Sequence, residues 1–488
     1  MSTTTYSRRQ FLGRGAMAVG AATLAPAYLA SCGGDGKAER AGYGELVRDP
    51  GGVIDLPPGF QYRLLSEEGS RLSSGAPVPG HQDGMGAIPG KGGTTVLVRN
   101  HERASGHPGR QGQAVVGRRP FEAGELGGTT AIVVGPDRRK VEDYVTSSGT
   151  RTNCAGGRTP WGTWLTCEED RSDGHGYVFE VIPDEREGAL SRSPITDMGH
   201  FSHEAVAMDP RTGVVYLTED DLAGRRSSGE AGETVMRSFL YRYLPVDPSR
   251  KPGALQRGGR LQALAIEQSP SVDGRSFRTG KRLGVVWRDV DPVRAHDDAE
   301  RKGAARFKRL EGASLAHGAL WFDDTAGGDR GLGQVYRYRP ATGTLELFFE
   351  GTERSEMRSP DNVVLTPWGD LWFAEDSVGG GNRVMGITPQ RSVYVFARNR
   401  VSESGLAGLC FSPDGRTLFV NIYSPGKTLA IWGPFARREA AARRRMAIAQ
   451  PPAALAPRGL PELAAAGERH GLSPLEAAAY DRLGVPLA

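Results

Sequence analysis

Short runs of apolar or alternating residues, separated by turns rich in Gly, Pro, Asn and Asp, recur along most of the chain and predict β-strands. Several runs share an ending in acidic or amide residues. They are T-V-L-V-R-N-H-E (95–102), W-G-T-W-L-T-C-E-E-D (161–170), Y-L-T-E-D-D (216–221), A-L-W-F-D-D (319–324), D-L-W-F-A-E-D (370–376) and T-L-F-V-N (417–421). Because successive side chains of a strand point to opposite faces, adjacent acids at its end can serve neighbouring ions, or one ion and the groups around it.

The spacing of these endings predicts the fold. Glu168 and Glu219 are 51 residues apart, Glu219 and Asp323 are 104 apart, and Asp323 and Glu375 are 52 apart. A period near fifty is typical of a β-propeller, since one four-stranded blade of roughly 40 to 50 residues must stack on its neighbours to bury its faces. We predict an all-β fold, a six-bladed β-propeller with irregular insertions over residues 45–435, whose recurrent acids gather at one rim of the central channel.

Two segments of this fold differ from the strand pattern. Residues 245–305 have a weak, charge-rich pattern that predicts an irregular blade or a loop over one face. Residues 436–488 contain Ala-, Arg- and Leu-rich runs with helical spacing, which predict a short C-terminal helical tail on the outside of the propeller.

The N-terminus has the pattern of an export signal. The motif S-R-R-Q-F-L (7–12) and the mildly apolar run after it predict a twin-arginine signal peptide over residues 1–32. Its ending, L-A-S-C, resembles a bacterial lipobox that would make Cys32 the lipidated N-terminus; cleavage after Ala30 is the alternative. Gly-rich residues 33–44 would form a tether. We expect export by the twin-arginine machinery, a periplasmic or cell-envelope lipoprotein held to the membrane only by its lipid anchor, and a monomer.

Composition limits the possible functions. With 68 Gly, 32 Pro and 38% hydrophobic residues among 488, the chain is a turn-rich globular protein. Its 61 basic and 57 acidic residues nearly balance, so no overall field favours nucleic acid as a partner. No serine elbow, Walker loop or dinucleotide fingerprint stands in a strand-to-helix context, which disfavours a covalent serine mechanism.

Residues 153–170 are the strongest candidate for a metal site. They contain Cys154, a Gly-rich turn, a strand and three consecutive acids that begin at Glu168. One thiolate among carboxylates indicates a transition metal, whereas clustered carboxylates suit Ca²⁺. A disulfide between Cys154 and Cys167 is the structural alternative in an oxidising envelope. Further polar candidates, for substrate or for support of the ligands, are Asn100, His101, Glu102, His203, Glu204, Asp361 and Asn362, with His81 and Asp83 in a Gly-rich loop.

Five motifs together resemble the PhoX family of bacterial alkaline phosphatases. They are N-C-A-G-G-R-T-P-W-G-T-W-L-T-C-E-E, F-S-H-E-A, L-T-E-D-D, S-P-D-N and C-F-S-P-D-G-R-T-L-F-V-N-I-Y-S-P-G-K-T, and the resemblance covers most of residues 100–435. It implies an exported six-bladed propeller that hydrolyses phosphate monoesters with iron and calcium. It also implies that Cys154 is an iron ligand. The implied iron and calcium cluster further includes Glu168, Glu169, Glu219 and Glu311, with Asp220 and Asp221 as companions.

The resemblance assigns Arg309, two residues before Glu311, to the substrate phosphate, although R-L-E here replaces the usual R-P-E. Residues two apart on an extended segment share a side, so both should face the channel; pairing of Arg309 with a surface acid beside Lys308 is the alternative. Cations and an arginine suit the charge that develops in phosphate ester hydrolysis. Two other functions remain open. One is a calcium-dependent propeller lactonase or phosphotriesterase, which would not need Cys154, and the other is a non-catalytic, lipid-anchored binding propeller.

Overall fold

A computed structural model describes residues 41–221, 237–267 and 278–435. The predicted export signal, most of the tether and the C-terminal tail lie outside the described residues. Within the described ranges, no helix is long and apolar enough to cross a membrane. The helices there are α1 (Ala295–Arg301) and the short 3-10 helices Lys91–Gly93, Leu190–Arg192, Thr196–Met198, Leu255–Arg257, Pro292–Arg294 and Pro340–Thr342.

Strands dominate the described residues, as the alternating pattern predicts. They are β1 (Ile54–Asp55), β2 (Gln61–Glu67), β3 (Gln82–Pro89), β4 (Thr95–His101), β5 (Gly127–Val134), β6 (Lys140–Thr150), β7 (Asn153–Arg158), β8 (Trp164–Glu168), β9 (Val178–Val181), β10 (His203–Met208), β11 (Val215–Glu219), β12 (Leu240–Pro245), β13 (Gly259–Ile266), β14 (Arg282–Asp289), β15 (Leu310–Ala316), β16 (Ala319–Asp324), β17 (Gln334–Arg339), β18 (Thr344–Glu350), β19 (Pro360–Leu365), β20 (Leu371–Glu375), β21 (Arg383–Ile387), β22 (Val393–Asn399), β23 (Leu406–Phe411), β24 (Leu418–Ile422) and β25 (Lys427–Trp432).

Hydrogen bonding groups these strands into five antiparallel sheets. Their strand orders are β3-β4-β5-β6, β7-β8-β9, β10-β11-β12-β13-β14-β18-β17-β16-β15, β1-β22-β21-β20-β19 and β2-β25-β24-β23. In the last of these, β2 from the start of the chain pairs with β25 from its end. This pairing joins the two ends of the described chain in one sheet, as closed propellers do.

The nine-stranded sheet contains two four-stranded units joined by β14. This strand pairs with β13 along five residues, but with β18 along only three, from Arg282 to Gly284. For residues 245–305 the structure therefore favours an irregular blade over a loop, since the segment forms β13, β14 and α1. The sequence R-L-G-V-V-W-R-D gives β14 a mixed burial pattern, which explains why its strand signal is weak.

The first strands of successive units contact one another in a ring. In contact order they are β3, β7, β10, β15, β19 and β23, which returns to β3, and we call them the first strands. Between the sheets lie apolar clusters such as the one that joins Trp321 of β16 to Val363 of β19. The fold is therefore all-β, with few helices and a propeller-like arrangement.

Glycines allow the first strands to approach one another closely. A Cβ at Gly84 would lie 2.6 Å from the Ala155 Cα, and one at Gly157 would lie 2.0 Å from the Val206 carbonyl oxygen. Any larger residue would force these backbones apart. The narrow ring that results brings the side chains at the starts of the first strands within reach of one another.

Candidate metal centre

Each first strand begins with a β-bulge. In β7, Asn153 pairs with Glu168 and Gly156 pairs with Thr166, so β7 accommodates one extra residue between these pairs. The same register shift occurs in the other five first strands. A bulge bends its strand and re-aims a side chain. Five of the six bulges begin with an acid or a cysteine, and we call these the entry residues: Asp83, Cys154, Glu204, Glu311 and Asp361.

The entry residues form a buried cluster together with two acids from loops, Glu102 and Glu169. Three overlapping sets place ligand atoms within 4.8 Å of one another: Asp83 with Glu102 and Cys154, Cys154 with Glu169 and Glu204, and Glu204 with Glu311 and Asp361. The Cys154 Sγ lies 3.0 Å from the Glu204 Oε1 and 3.6 Å from the Asp83 Oδ2. The cluster therefore has a side that contains the thiol and a side made only of carboxylates.

Two arginines lie at the edges of this cluster. The Arg110 Nη2 lies 2.8 Å from both the Glu102 Oε1 and the Glu169 Oε2. The Arg309 guanidinium donates to both oxygens of Asp220, at 3.1 and 2.6 Å, and to the Glu311 Oε1 at 2.5 Å. This last contact brings the Arg309 and Glu311 side chains together, and their roles at the site stay predictions.

The electrostatics of the cluster favour bound cations. Burial raises the pKa of the Cys154 thiol well above its ordinary value, and the neighbouring Asp83 and Glu102 raise it further. Burial likewise raises the pKa of Asp323, which lies near Asp361 and Glu311. Because six clustered carboxylates outnumber the two guanidinium groups named above, ionising the thiol requires additional positive charge.

The donor set fits such cations. A thiolate beside carboxylates suits a transition metal, and the all-carboxylate side suits a hard cation such as Ca²⁺. Among the described cysteines, Cys154, Cys167 and Cys410, none forms a disulfide. The alternative disulfide between Cys154 and Cys167 is not formed in this structure, and Cys167 belongs to an apolar core cluster.

Glu168 and Glu219 do not enter these sets, although the family resemblance implies that they bind metal. The Glu168 carboxylate accepts from the His175 ring at 2.8 Å and from the backbone N–H groups of Arg151 and Gly176 at 2.8 and 2.9 Å. The Glu219 carboxylate contacts the His296 ring at 2.8 Å and accepts from the Tyr241 hydroxyl at 3.0 Å and from the Phe239 N–H at 3.2 Å.

Asp220 and Asp221 differ from each other. Asp220 orients Arg309 at the edge of the cluster. Asp221 faces another way, since its carboxylate pairs with Arg171 at 2.7 Å and its N–H donates to the Ser238 hydroxyl at 3.1 Å.

The remaining candidates mainly support the backbone. The Asn100 Nδ2 donates to the Cys154 carbonyl at 3.2 Å, and the Asn362 Oδ1 accepts from the Gly408 N–H. His101 contacts the Gly80 carbonyl at 3.0 Å and the Thr130 hydroxyl at 2.8 Å, and burial lowers its pKa. The His203 Nε2 contacts a backbone carbonyl at 2.8 Å, and burial lowers its pKa to about 3.

The ring also encloses a cavity beyond the bulges. Its volume is about 370 Å³, and the first strands line it with residues such as Ala207, Ala313, Val364 and Cys410. These residues offer few ligand groups, so the chemistry is concentrated at the bulges.

Arg110 was not predicted from the sequence, Asp83 was included only as a further polar candidate, and Asp323 only as one of the recurrent strand-end acids. A signal for the entry residues does exist, because each is followed by a small residue or Asn, as in Asp83-Gly84 and Glu311-Gly312. The position of Arg110 in a loop between β4 and β5 has no such signal.

The chain is similar to known proteins in sequence and in fold. A family model described as alkaline phosphatase PhoX matches residues 41–426. The structure of Pseudomonas fluorescens PhoX in complex with vanadate, a transition state analogue, is 18% identical, has a TM-score of 0.58 and aligns over 78% of this chain and 96% of that chain. A Xanthomonas campestris gluconolactonase is 11% identical, with a TM-score of 0.40, over 77% of this chain and 99% of that chain. No curated protein matches.

Proposed function

We propose that this chain, which belongs to the PhoX family of alkaline phosphatases, hydrolyses phosphate monoesters at the cluster around Cys154. The observation that carries the proposal is a buried thiol among carboxylates, with an arginine at the edge of the same cluster. Phosphate esters are anionic, and their hydrolysis gathers charge on the non-bridging oxygens, so cations and an arginine are suitable stabilisers.

We assign the two sides of the cluster to different metals. Asp83, Glu102, Cys154, Glu169 and Glu204 would hold iron, since this side contains the thiol. Glu311 and Asp361 would hold calcium with Glu204. When bound, the cations would supply Lewis acid stabilisation of phosphoryl charge and an activated water. In this proposal Glu168, Glu219 and Asp221 support the fold, because their carboxylates contact other groups.

Arg309 would bind the phosphoryl group. Its side chain is 14% exposed, and Asp220 holds the guanidinium in place through two hydrogen bonds. A planar guanidinium can bind two phosphoryl oxygens at once, which the ammonium of lysine cannot do with the same geometry. Arg110, between Glu102 and Glu169, would keep these two carboxylates in position on the opposite edge.

We further propose that the propeller has six blades. Supporting this, the six first strands contact one another in a ring, and the nine-stranded sheet divides into two four-stranded units at the short β14–β18 pairing.

Export and anchoring are separate proposals that rest on residues 1–32. The protein would leave the cytoplasm by the twin-arginine pathway and remain on the cell envelope through lipidated Cys32. Cys32→Ala should move the protein from the membrane fraction to the soluble fraction at unchanged specific activity. Continued membrane retention would argue against the lipobox.

The experiment for the main proposal is elemental analysis of protein exported in its native host, combined with assays on a phosphomonoester, a phosphotriester and a lactone. We expect iron and calcium together, and turnover of the monoester above the other two. Calcium without iron, with lactone or triester turnover, would favour the lactonase alternative. Metals without turnover of any ester would favour a binding propeller.

A further inference from the structure

In two of the sheets, the residue that stands opposite the bulge on the second strand has the same role. In the sheet that begins with β3 this residue is Asn100, whose Nδ2 donates to the carbonyls of Cys154 and Ala155 at 3.2 and 2.7 Å. In the sheet that begins with β10 it is Thr218, whose hydroxyl donates to the Glu311 carbonyl at 2.6 Å. In both sheets a side-chain donor holds the backbone of an entry residue on the neighbouring first strand.

Asp323 occupies this position in the sheet that begins with β15, where an ionised carboxylate has no proton to donate. The register pairs Leu310 with Asp324 and Ala313 with Phe322, so Asp323 stands opposite the bulge. Its side chain is 0% exposed, and neither carboxylate oxygen meets a hydrogen-bond donor of another residue. A buried carboxylate without such a donor is costly unless a proton or a cation neutralises it, and the carboxylates of Glu311 and Asp361 nearby make a shared cation the arrangement that serves all three.

The Asp323 side chain points toward the sheet that contains β19. Two residues earlier on the same face, Trp321 packs in the apolar cluster with residues of β19 and β20. Two residues later, the Thr325 hydroxyl donates to the Pro360 carbonyl. Because alternate residues of a strand share a face, the Asp323 carboxyl lies at the boundary where Asp361 enters the cluster.

We propose that Asp323 is a ligand of a calcium ion that Glu311 and Asp361 also hold. Glu311 and Asp361 already place ligand atoms within 4.8 Å of each other and of Glu204. Donors that are all carboxylate oxygens favour a hard cation, and the flexible coordination of Ca²⁺ tolerates ligands from two sheets. The inference rests on the proposed function, because it adds a ligand to the carboxylate side of the same centre.

The test is the calcium content of the full-length protein after equilibrium dialysis against buffered Ca²⁺. Asp323→Asn should lose one calcium per chain and keep its iron, and Ca²⁺ should raise its Tm less than that of the wild type. Asp143→Asn is the matched control. Asp143 is also fully buried, but it accepts from Ser73 at 2.7 and 2.9 Å and from Lys140 at 2.7 Å, so its calcium content should not change.

An unchanged calcium content with an equal or higher Tm would overturn the proposal. In that case the introduced amide would act as a donor, as Asn100 does, and the native carboxyl would have only a structural role. If Asp323→Asn does not fold, anomalous diffraction from wild-type crystals grown with Ca²⁺ gives a second test. A calcium peak about 2.3 to 2.6 Å from an Asp323 oxygen is expected, and the absence of a peak there would contradict the proposal.

The same protein preparations separate this inference from the proposed function. If wild-type protein binds calcium through Asp323 but hydrolyses no phosphomonoester, the calcium site is supported and the proposed function is wrong. If the wild type is active but its calcium content does not depend on Asp323, the proposed function is supported and the assignment of Asp323 as a ligand is wrong.

Discussion

Two groups of acidic residues lie side by side at one end of the strands, yet only one has the contacts of a metal centre. The first group consists of the entry residues, and the second consists of the strand-end acids Glu168, Glu219 and Glu375. Cross-strand pairing places each strand-end acid opposite the residue just before an entry residue, as in Asn153 with Glu168 and Pro360 with Glu375. Both groups are buried, so burial alone does not distinguish them.

The difference lies in the donors that each group meets. The Glu375 carboxylate accepts from Arg383 at 2.5 and 2.8 Å and from Arg358 at 2.7 Å, and Glu168 and Glu219 meet histidine, tyrosine or backbone donors. The entry residues instead face one another across the ring, with a thiol among them. Each strand-end acid has protein donors of its own, whereas the carboxylates of the entry residues lie so close together that they need more positive charge than Arg110 and Arg309 supply.

Replacement of the thiol should have the largest effect. Cys154→Ala should lose iron, because none of the neighbouring carboxylates can take the place of the thiolate ligand. The kcat for phosphomonoesters should then fall by roughly a thousandfold or more, which corresponds to about 4 kcal/mol. Iron content and turnover measured on the same preparation check this, with circular dichroism as the control for folding. Full activity without iron would show that hydrolysis does not depend on the Cys154 thiol or its metal.

Removal of a strand-end acid should affect stability instead. Glu375→Gln leaves the charges of Arg383 and Arg358 without their carboxylate, and loss of one partner of a buried pair costs about 3 to 5 kcal/mol. Denaturant unfolding should detect this loss. Iron and calcium per folded chain should remain at the wild-type level, and a selective loss of metal would place Glu375 with the entry residues.

The substrate arginine should give an intermediate effect on activity. Arg309→Lys keeps the charge but loses the planar fork, so we expect kcat/KM for phosphomonoesters to fall by roughly ten- to a thousandfold, about 1.4 to 4 kcal/mol. Metal content should stay near the wild-type value. If the variant hydrolyses phosphomonoesters as well as the parent, Arg309 does not bind the substrate and serves only as a partner of Asp220.

The smallest effect should come from the backbone support of an entry residue. Thr218→Val removes the hydroxyl that donates to the Glu311 carbonyl at 2.6 Å. A buried acceptor without its donor costs about 1 to 3 kcal/mol, which unfolding experiments can measure. Calcium should bind more weakly while iron is retained; an equal loss of both metals would show that Thr218 supports the whole ring.

The sequence predicted the strands better than it predicted their bulges. The alternation in A-L-W-F-D-D matches β16 (Ala319–Asp324), and the fifty-residue period reflects the repeated sheets. That period, however, follows the strand-end acids, which are visible because they close long apolar runs. The entry residues depend on a register shift between two strands, and cross-strand pairing cannot be read from one strand alone.

Loop residues show a second limit of what can be predicted from the sequence. Glu102 and Glu169 follow strand ends and could be predicted as candidates, whereas Arg110 reaches both through a loop with no periodic pattern. The sequence period included Asp323. Whether a hydrogen-bond donor reaches its carboxylate, however, is decided by residues of the next sheet, which the sequence pattern does not show.

The entry residues, and not the strand-end acids, should bind the metals. The most direct measurement is the iron and calcium content of a matched pair of variants, Glu311→Gln and Glu219→Gln, each of which replaces one buried carboxylate by an amide. We predict that Glu311→Gln loses bound metal and turnover together, and that Glu219→Gln keeps both metals in its folded fraction. Loss of metal in Glu219→Gln, with retention in Glu311→Gln, would contradict the account.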